Sequence, residues 1–128
     1  MIKFKYKKQF LSVMAEGEAR YVMVNAVVRL NKVDAVKDAL INLGHRGMTV
    51  VEVRGHGQER GGTAIYRGKE YNVPLLPKAK LEVAVPEVDV PRVLEEIVIA
   101  ARTGEIGDGR IWTYPIYNYR SIRTGKTE

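Results

Sequence analysis

At 128 residues, 45% hydrophobic and 28% charged, with a formal net charge of +6, the chain has the size and balance of one soluble globular domain with a single core. The lack of cysteine excludes disulfides and thiolate chemistry, and two histidines, His45 and His56, without metal-site spacing give no support to a zinc centre. No apolar run reaches the roughly 18 residues that cross a bilayer, so the expected location is the cytoplasm, and the positive charge suits a nucleotide, a nucleic acid or an acidic protein surface.

In chain order, Ile2, Phe4 and Tyr6 alternate with Lys3, Lys5 and Lys7, as in an edge strand whose lysines discourage further pairing; a disordered tail fits the same residues. Residues 1–20 therefore read as an N-terminal extension of one of these two kinds. From Val22 the pattern strand, amphipathic helix, strand occurs twice. In the first copy Val22, Val24, Ala26 and Val28 form one strand face. A helix follows, with Asn31 as its expected cap, a stripe of Val33, Val36, Leu40 and Leu43, and Gly44 as its stop. Residues 48–54 form the next strand.

In the second copy Ala79, Leu81, Val83 and Val85 face one way and Lys78, Lys80 and Glu82 the other. Asp89 is the expected cap of a helix with Pro91 in its first turn, an inner face of Val90, Val93, Leu94, Ile97 and Ala101, and an end at Gly104. Residues 111–117 close the unit, with Pro115 confining that strand to an edge or bulge. The fold class is α+β: a ferredoxin-like βαββαβ domain over residues 21–128, with a long loop between its second and third strands and both helices on one sheet face. Val27, Trp112 and Tyr114 would occupy the other face, which predicts self-association. The connecting loop, about 57–75, carries Tyr66, Tyr71 and Leu75, contact groups that a bare linker lacks.

The segment Thr103-Gly104-Glu105-Ile106-Gly107-Asp108-Gly109-Arg110, with Arg123-Thr124-Gly125 downstream, sets backbone N–H groups and guanidinium charge where they can converge on an anion such as a phosphate chain. A Gly-Asp-Gly turn before a strand is also an ordinary structural device, and both readings stay open at this point. No Ser/His/Asp set or acid–base pair appears, so an enzyme is not expected. Stacking aromatics of a nucleic-acid binder are absent from residues 22–29 and 79–85.

These residues, together with Gly47-Met48-Thr49-Val50, Val53-Arg54-Gly55-His56-Gly57, Tyr66-Arg67-Gly68-Lys69-Glu70-Tyr71, Leu76-Pro77-Lys78 and Ile122-Arg123-Thr124-Gly125, resemble the PII signal-transduction family in order and spacing over roughly 22–128. The resemblance implies a homotrimer with three inter-subunit clefts that bind ATP or ADP competitively, Mg²⁺ accompanying ATP. A loop at about 57–75 would dock on an ammonium or other small-solute transporter or on a nitrogen-metabolism enzyme. It further implies that Gly107, Asp108 and Gly109 wrap the phosphates, that Arg110 and Arg123 supply charge, and that Val27, Thr49 and Ala84 line the adenine pocket beside Glu82. Gly55 and Gly57 would let the loop's first turn approach the ligand.

Departures from the family pattern carry their own implications. Glu59 replaces a glutamine that helps hold Mg²⁺ and 2-oxoglutarate, while Lys78 keeps the lysine that pairs with a 2-oxoglutarate carboxylate; 2-oxoglutarate sensing is expected to be weak or lost. Gln58 and Ser121 replace arginines of the phosphate site, which predicts ADP binding comparable to or tighter than ATP. Tyr71 matches a tyrosine that some bacteria uridylylate, and it serves equally as a partner contact.

Overall fold

The computed structural model describes residues 20–56 and 75–128 in full and, between them, the backbone of residues 63–66 and 69–72. β1 (Tyr21–Val28) leads through a 3₁₀ turn (Leu30–Lys32) into α1 (Val33–Asn42) and β2 (Met48–Gly55). β3 (Thr63–Tyr66) and β4 (Lys69–Asn72) follow, then β5 (Leu76–Pro86), a second 3₁₀ turn (Glu87–Asp89), α2 (Val90–Ala101) and β6 (Arg110–Ile116). The main sheet has the order β2-β5-β1-β6 and is antiparallel throughout. Each strand–helix–strand unit thus straddles a strand of the other, which is the ferredoxin-like arrangement expected from the two copies.

Alternation decides which residues are inside. Val24, Ala26 and Val28 of β1 and Ala79, Leu81, Val83 and Val85 of β5 are buried, and all but Ala79 share one cluster with Val36 and Leu40 of α1 and Val93, Ile97 and Ala101 of α2. The two helices pack on each other over that face. α1 ends in a paired closure: the His45 N–H donates to the Leu40 carbonyl and the Gly44 N–H to the Ile41 carbonyl, both at 2.9 Å, with Gly44 at φ +92. This is the six-to-one and five-to-two pattern that a left-handed residue after the helix permits.

Four expectations need correction. Asn31 does not cap α1; it lies inside the 3₁₀ turn, and Lys32 precedes the helix without a side-chain cap. Asp89 stands at the start of α2 but makes no capping bond; its carboxylate lies 3.7 Å from the His45 imidazole. α2 ends because Arg102 turns extended, at φ −70 and ψ 131, and Gly104 at φ +90 serves the following loop instead. Finally, the segment between β2 and β5 is not wholly irregular: β3 and β4 pair antiparallel, with Ala64 opposite Tyr71 and Tyr66 opposite Lys69. β5 also begins two residues before Lys78. Residues 1–19, with the edge-strand expectation they carry, lie outside the described residues.

Pro115 sits on β6, at the sheet's edge, where a missing N–H costs no ladder bond on the outer side. Trp112 and Tyr114 are 41% and 47% exposed on the face opposite the helices, as their alternation with Ile111 requires. On that same face Asn25 is fully buried. Its Nδ2 donates to the Met23 carbonyl at 3.4 Å, and its Oδ1 has no partner among the described residues.

Removing side-chain volume at Leu40, which is 0% exposed between the helices and the sheet, tests this core. Leu40→Ala is expected to cost about 2–5 kcal/mol in urea unfolding, whereas Ile99→Ala on the outer face of α2 should stay within about 0.5 kcal/mol. Equal costs at the two positions would contradict the burial pattern.

Candidate functional site

The candidate site lies at one end of the main sheet, where the end of β1, the end of β2 and the beginnings of β5 and β6 meet the loop that follows α2. Register sets this convergence: Val27 is opposite both Lys80 and Arg110, and Gly55 is opposite Leu76. The resulting cleft has a volume of about 480 Å³ and is walled by Val27, Gly55, His56, Lys78, Trp112 and residues 105–110.

Asp108 organises the loop. Its Oδ2 accepts from the backbone N–H of Thr103 at 2.9 Å and of Gly104 at 2.8 Å, and its Oδ1 accepts from the Thr103 hydroxyl and from Arg29 Nε at 3.3 Å. Arg29 also donates from Nη2 to the Ile106 carbonyl at 3.0 Å. The Asp108 carboxyl is held well below the usual carboxylate range, first by the Thr103 hydroxyl and then by the Thr103 N–H, with burial opposing them and the Gly104 N–H and Arg29 adding smaller contributions. Across the cleft Lys78 Nζ donates to the Gly107 carbonyl at 2.6 Å and so ties β5 to the loop.

Gly109 is required by space and by backbone angle together. At φ +103 it is left-handed, and a Cβ there would stand 1.7 Å from the Val27 carbonyl oxygen. Gly107, at φ +107, shares that backbone region. A Cβ at Gly55 meets nothing within 4 Å among the described residues, so the close approach found here is that of Gly109.

Of the residues singled out in the sequence, the cleft brings together Val27, Gly55, Lys78, Gly107, Asp108, Gly109 and Arg110. It does not gather Thr49, Glu82 and Ala84. Thr49 is paired with Glu82 further along the open sheet face, and Glu82 and Ala84 lie four and six residues beyond Lys78, about 13 and 20 Å at ~3.3 Å per residue. Arg123 is exposed on a C-terminal turn closed by Ser121 N–H to the Lys126 carbonyl and Gly125 N–H to the Ser121 carbonyl, away from the cleft of its own chain. Gly57, Gln58 and Glu59 lie outside the described residues; Tyr66 and Tyr71 lie on β3 and β4, where only the backbone is described.

Three contributors escaped the sequence reading. Arg29 reaches Asp108 from 79 positions away, so no local signal announces it. Thr103 could have been recognised, since a hydroxyl five residues before an aspartate in a glycine-rich turn is a ready local partner. His56, weighed in the sequence only as a metal ligand, lines the cleft. Among the described residues no group of three or more His, Cys, Asp or Glu side chains could hold a metal ion, and no helix is long and apolar enough to cross a membrane.

Two variants probe the loop. Gly109→Ala should cost about 1–3 kcal/mol in stability through strain, measured by denaturant unfolding; an unchanged midpoint would contradict the contact with Val27. Because folding lowers the Asp108 carboxyl's affinity for protons, its stabilisation is complete above the unfolded value near ~4 and fades as pH falls. Asp108→Asn should therefore be less stable than the parent at neutral pH and lose less on acidification, read from melting midpoints between neutrality and acid.

Residues 21–126 match the family model described as nitrogen regulatory protein P-II. A relative of that name from Rhizobium etli is 47% identical over 106 residues, covering 83% of this chain and 95% of its own. One from a Synechocystis species is 50% identical over 105 residues, covering 82% and 94%. Among solved structures, Arabidopsis thaliana PII bound to citrate superposes with a TM-score of 0.70 at 32% identity, covering 87% of this chain and 88% of that one. With the interleaved sheet and the glycine loop both in place, the chain belongs to the nitrogen regulatory protein P-II family.

Proposed function

We propose that this chain is a non-enzymatic signalling regulator that binds ADP and ATP competitively in clefts between protomers and reports adenylate energy state, and with it nitrogen state, to a transporter or metabolic enzyme. The observation that carries the reading is the Gly107-Asp108-Gly109 loop held against β1, with Lys78 and Arg110 on the same cleft. Left-handed glycines turn backbone N–H groups toward one concavity, and such nests favour anions. The Asp108 side chain is occupied with Thr103, Gly104 and Arg29, so its charge is directed into the loop's own frame.

A cleft shared by two protomers is supported by the separation of the two residue sets. One chain carries a phosphate-binding end and, higher on its open face, the patch of Thr49, Glu82 and Ala84 suited to a base. Association through that face sets one protomer's end beside another's patch and covers Trp112 and Tyr114, in line with a homotrimer. On this reading Arg123, exposed on its C-terminal turn, acts on a neighbour's ligand.

Weakened 2-oxoglutarate sensing follows from Glu59, a carboxylate where the family has an amide. The second reading, a full ATP and 2-oxoglutarate sensor acting on an ammonium transporter, draws on Lys78 at the cleft and on the citrate bound by the Arabidopsis relative. Calorimetric titration separates the two. ADP should bind at least as tightly as ATP, and 2-oxoglutarate should add little at saturating MgATP; micromolar 2-oxoglutarate binding favours the second reading. Arg110→Ala should weaken both nucleotides by roughly tenfold or more, as expected for a charge-assisted bond of about 1.5–3 kcal/mol, and leave adenosine unaffected. A monomer that binds neither nucleotide would overturn the proposal. Docking through the segment that holds β3 and β4, with Tyr66 and Tyr71, should be lost on exchange of ATP for ADP in a pull-down.

A further inference from the structure

Beyond β6 the chain turns at Asn118, whose backbone is left-handed at φ +57, and residues 119–128 fold back on themselves. Arg120 pairs with Thr127 in an isolated antiparallel bridge, and the Glu128 N–H donates to the Tyr119 carbonyl at 2.8 Å. Within the bridge the turn around Arg123 is tightened by two hydroxyls: the Thr124 N–H donates to Ser121 Oγ at 3.3 Å and the Lys126 N–H to Thr124 Oγ1 at 3.2 Å. Among the described residues, the hydrogen bonds of residues 119–128 are all internal to the segment. Its one ring contact, again among the described residues, reaches the body of the protomer. Tyr119 packs on Tyr21, the first residue of β1, with ring centroids 4.7 Å apart and planes inclined by 57°.

The contact lies far from the cleft of its own chain. Tyr21 precedes Val27 by six residues of β1, about 20 Å at ~3.3 Å per residue. It stands opposite Pro86, at the end of the sheet where Ala84 pairs with Met23. The turn that carries Arg123 is therefore fastened beside the proposed base patch. We infer that Tyr119 is a positioning residue: its packing on Tyr21 aims the C-terminal turn, so that Arg123 reaches the phosphates of the nucleotide whose base the same protomer's patch holds. The inference rests on the nucleotide reading above. Because the turn is braced by its own bonds, the direction it presents to a neighbour is set where it joins β6. A tilted aromatic pair at that junction has a preferred geometry of its own, and it lowers the cost of ordering the turn around a ligand.

The test is a double-mutant cycle read by calorimetry with ADP and with adenosine. It uses the full chain as parent, Tyr119→Ala, Tyr119→Phe, Arg123→Ala and the pair Tyr119→Ala with Arg123→Ala, each first shown to melt and to assemble like the parent. Tyr119→Ala should weaken ADP about two- to tenfold, the range an aromatic pair supports, and leave adenosine unchanged. Tyr119→Phe keeps the ring and should restore ADP binding. In the Arg123→Ala background the loss of Tyr119 should add nothing, because the ring acts through the guanidinium. Four results overturn this inference alone: parental ADP binding by Tyr119→Ala, equal losses for ADP and adenosine, additive losses in the pair, or parental ADP binding by Arg123→Ala. Failure of the parent to bind ADP overturns the nucleotide reading and this inference with it.

Discussion

The approach of Gly109 to the Val27 carbonyl fixes the site, because only a residue without a side chain lets the loop after α2 lie against the central strand. From that contact the rest is determined in sequence. Arg110 begins β6 opposite Val27, so the strand starts where the loop is seated, and Asp108 points back into the loop where Thr103 and Gly104 offer it donors. Arg29, just past the end of β1, closes the frame from outside. Lys78 fastens the opposite side through the Gly107 carbonyl. The backbone of the glycine loop is thereby preorganised by bonds internal to the protein, which on the proposed reading lowers the cost of ordering it around a phosphate chain.

The open sheet face is a second constraint of a different kind. Lys80 and Glu82 pair at 2.9 Å, each side chain 29% exposed, and the Lys80 ammonium lies 5.7 Å from the centre of the Trp112 ring. The Glu82 bond raises the Lys80 proton affinity, with burial opposing it. Beside them Asn25 is buried with an unpaired Oδ1 among the described residues. A surface that mixes exposed aromatic area with fixed polar groups fits a specific partner better than indiscriminate apolar contact, because mispaired polar groups penalise wrong registers.

Much of this was legible in the chain because its signals are local. Period-two alternation in residues 22–28 and 79–85 named the buried strand faces, and the stripe of Val36 and Leu40 named the inner face of α1. Gly44 announced the helix stop through its left-handed angle. The caps failed for a physical reason: both helices begin through a 3₁₀ turn, which displaces Asn31 from the boundary and leaves Asp89 to face His45. The β3–β4 pair was overlooked because glycine density around it reads as loop, although Arg67-Gly68 between two short runs is a two-residue hairpin signal. For the candidate site, the glycine loop was visible as a motif, but Arg29 was not, since an ion pair across 79 residues exists only once the sheet has formed. The division of the expected residues into two sets likewise depends on register, which spacing along the chain does not disclose.

The strand order has a consequence for how the molecule is made. β1 and β2 share no hydrogen bonds, because β5 lies between them, and β5 and β6 are likewise separated by β1. As the polypeptide leaves the ribosome, its first strand–helix–strand half has no ladder of its own and an unfilled slot one strand wide until β5 is synthesised. In a chain being made beside identical copies, that slot accepts the equivalent strand of another molecule as readily as its own, so prompt arrival of the second half protects against exchange between nascent neighbours.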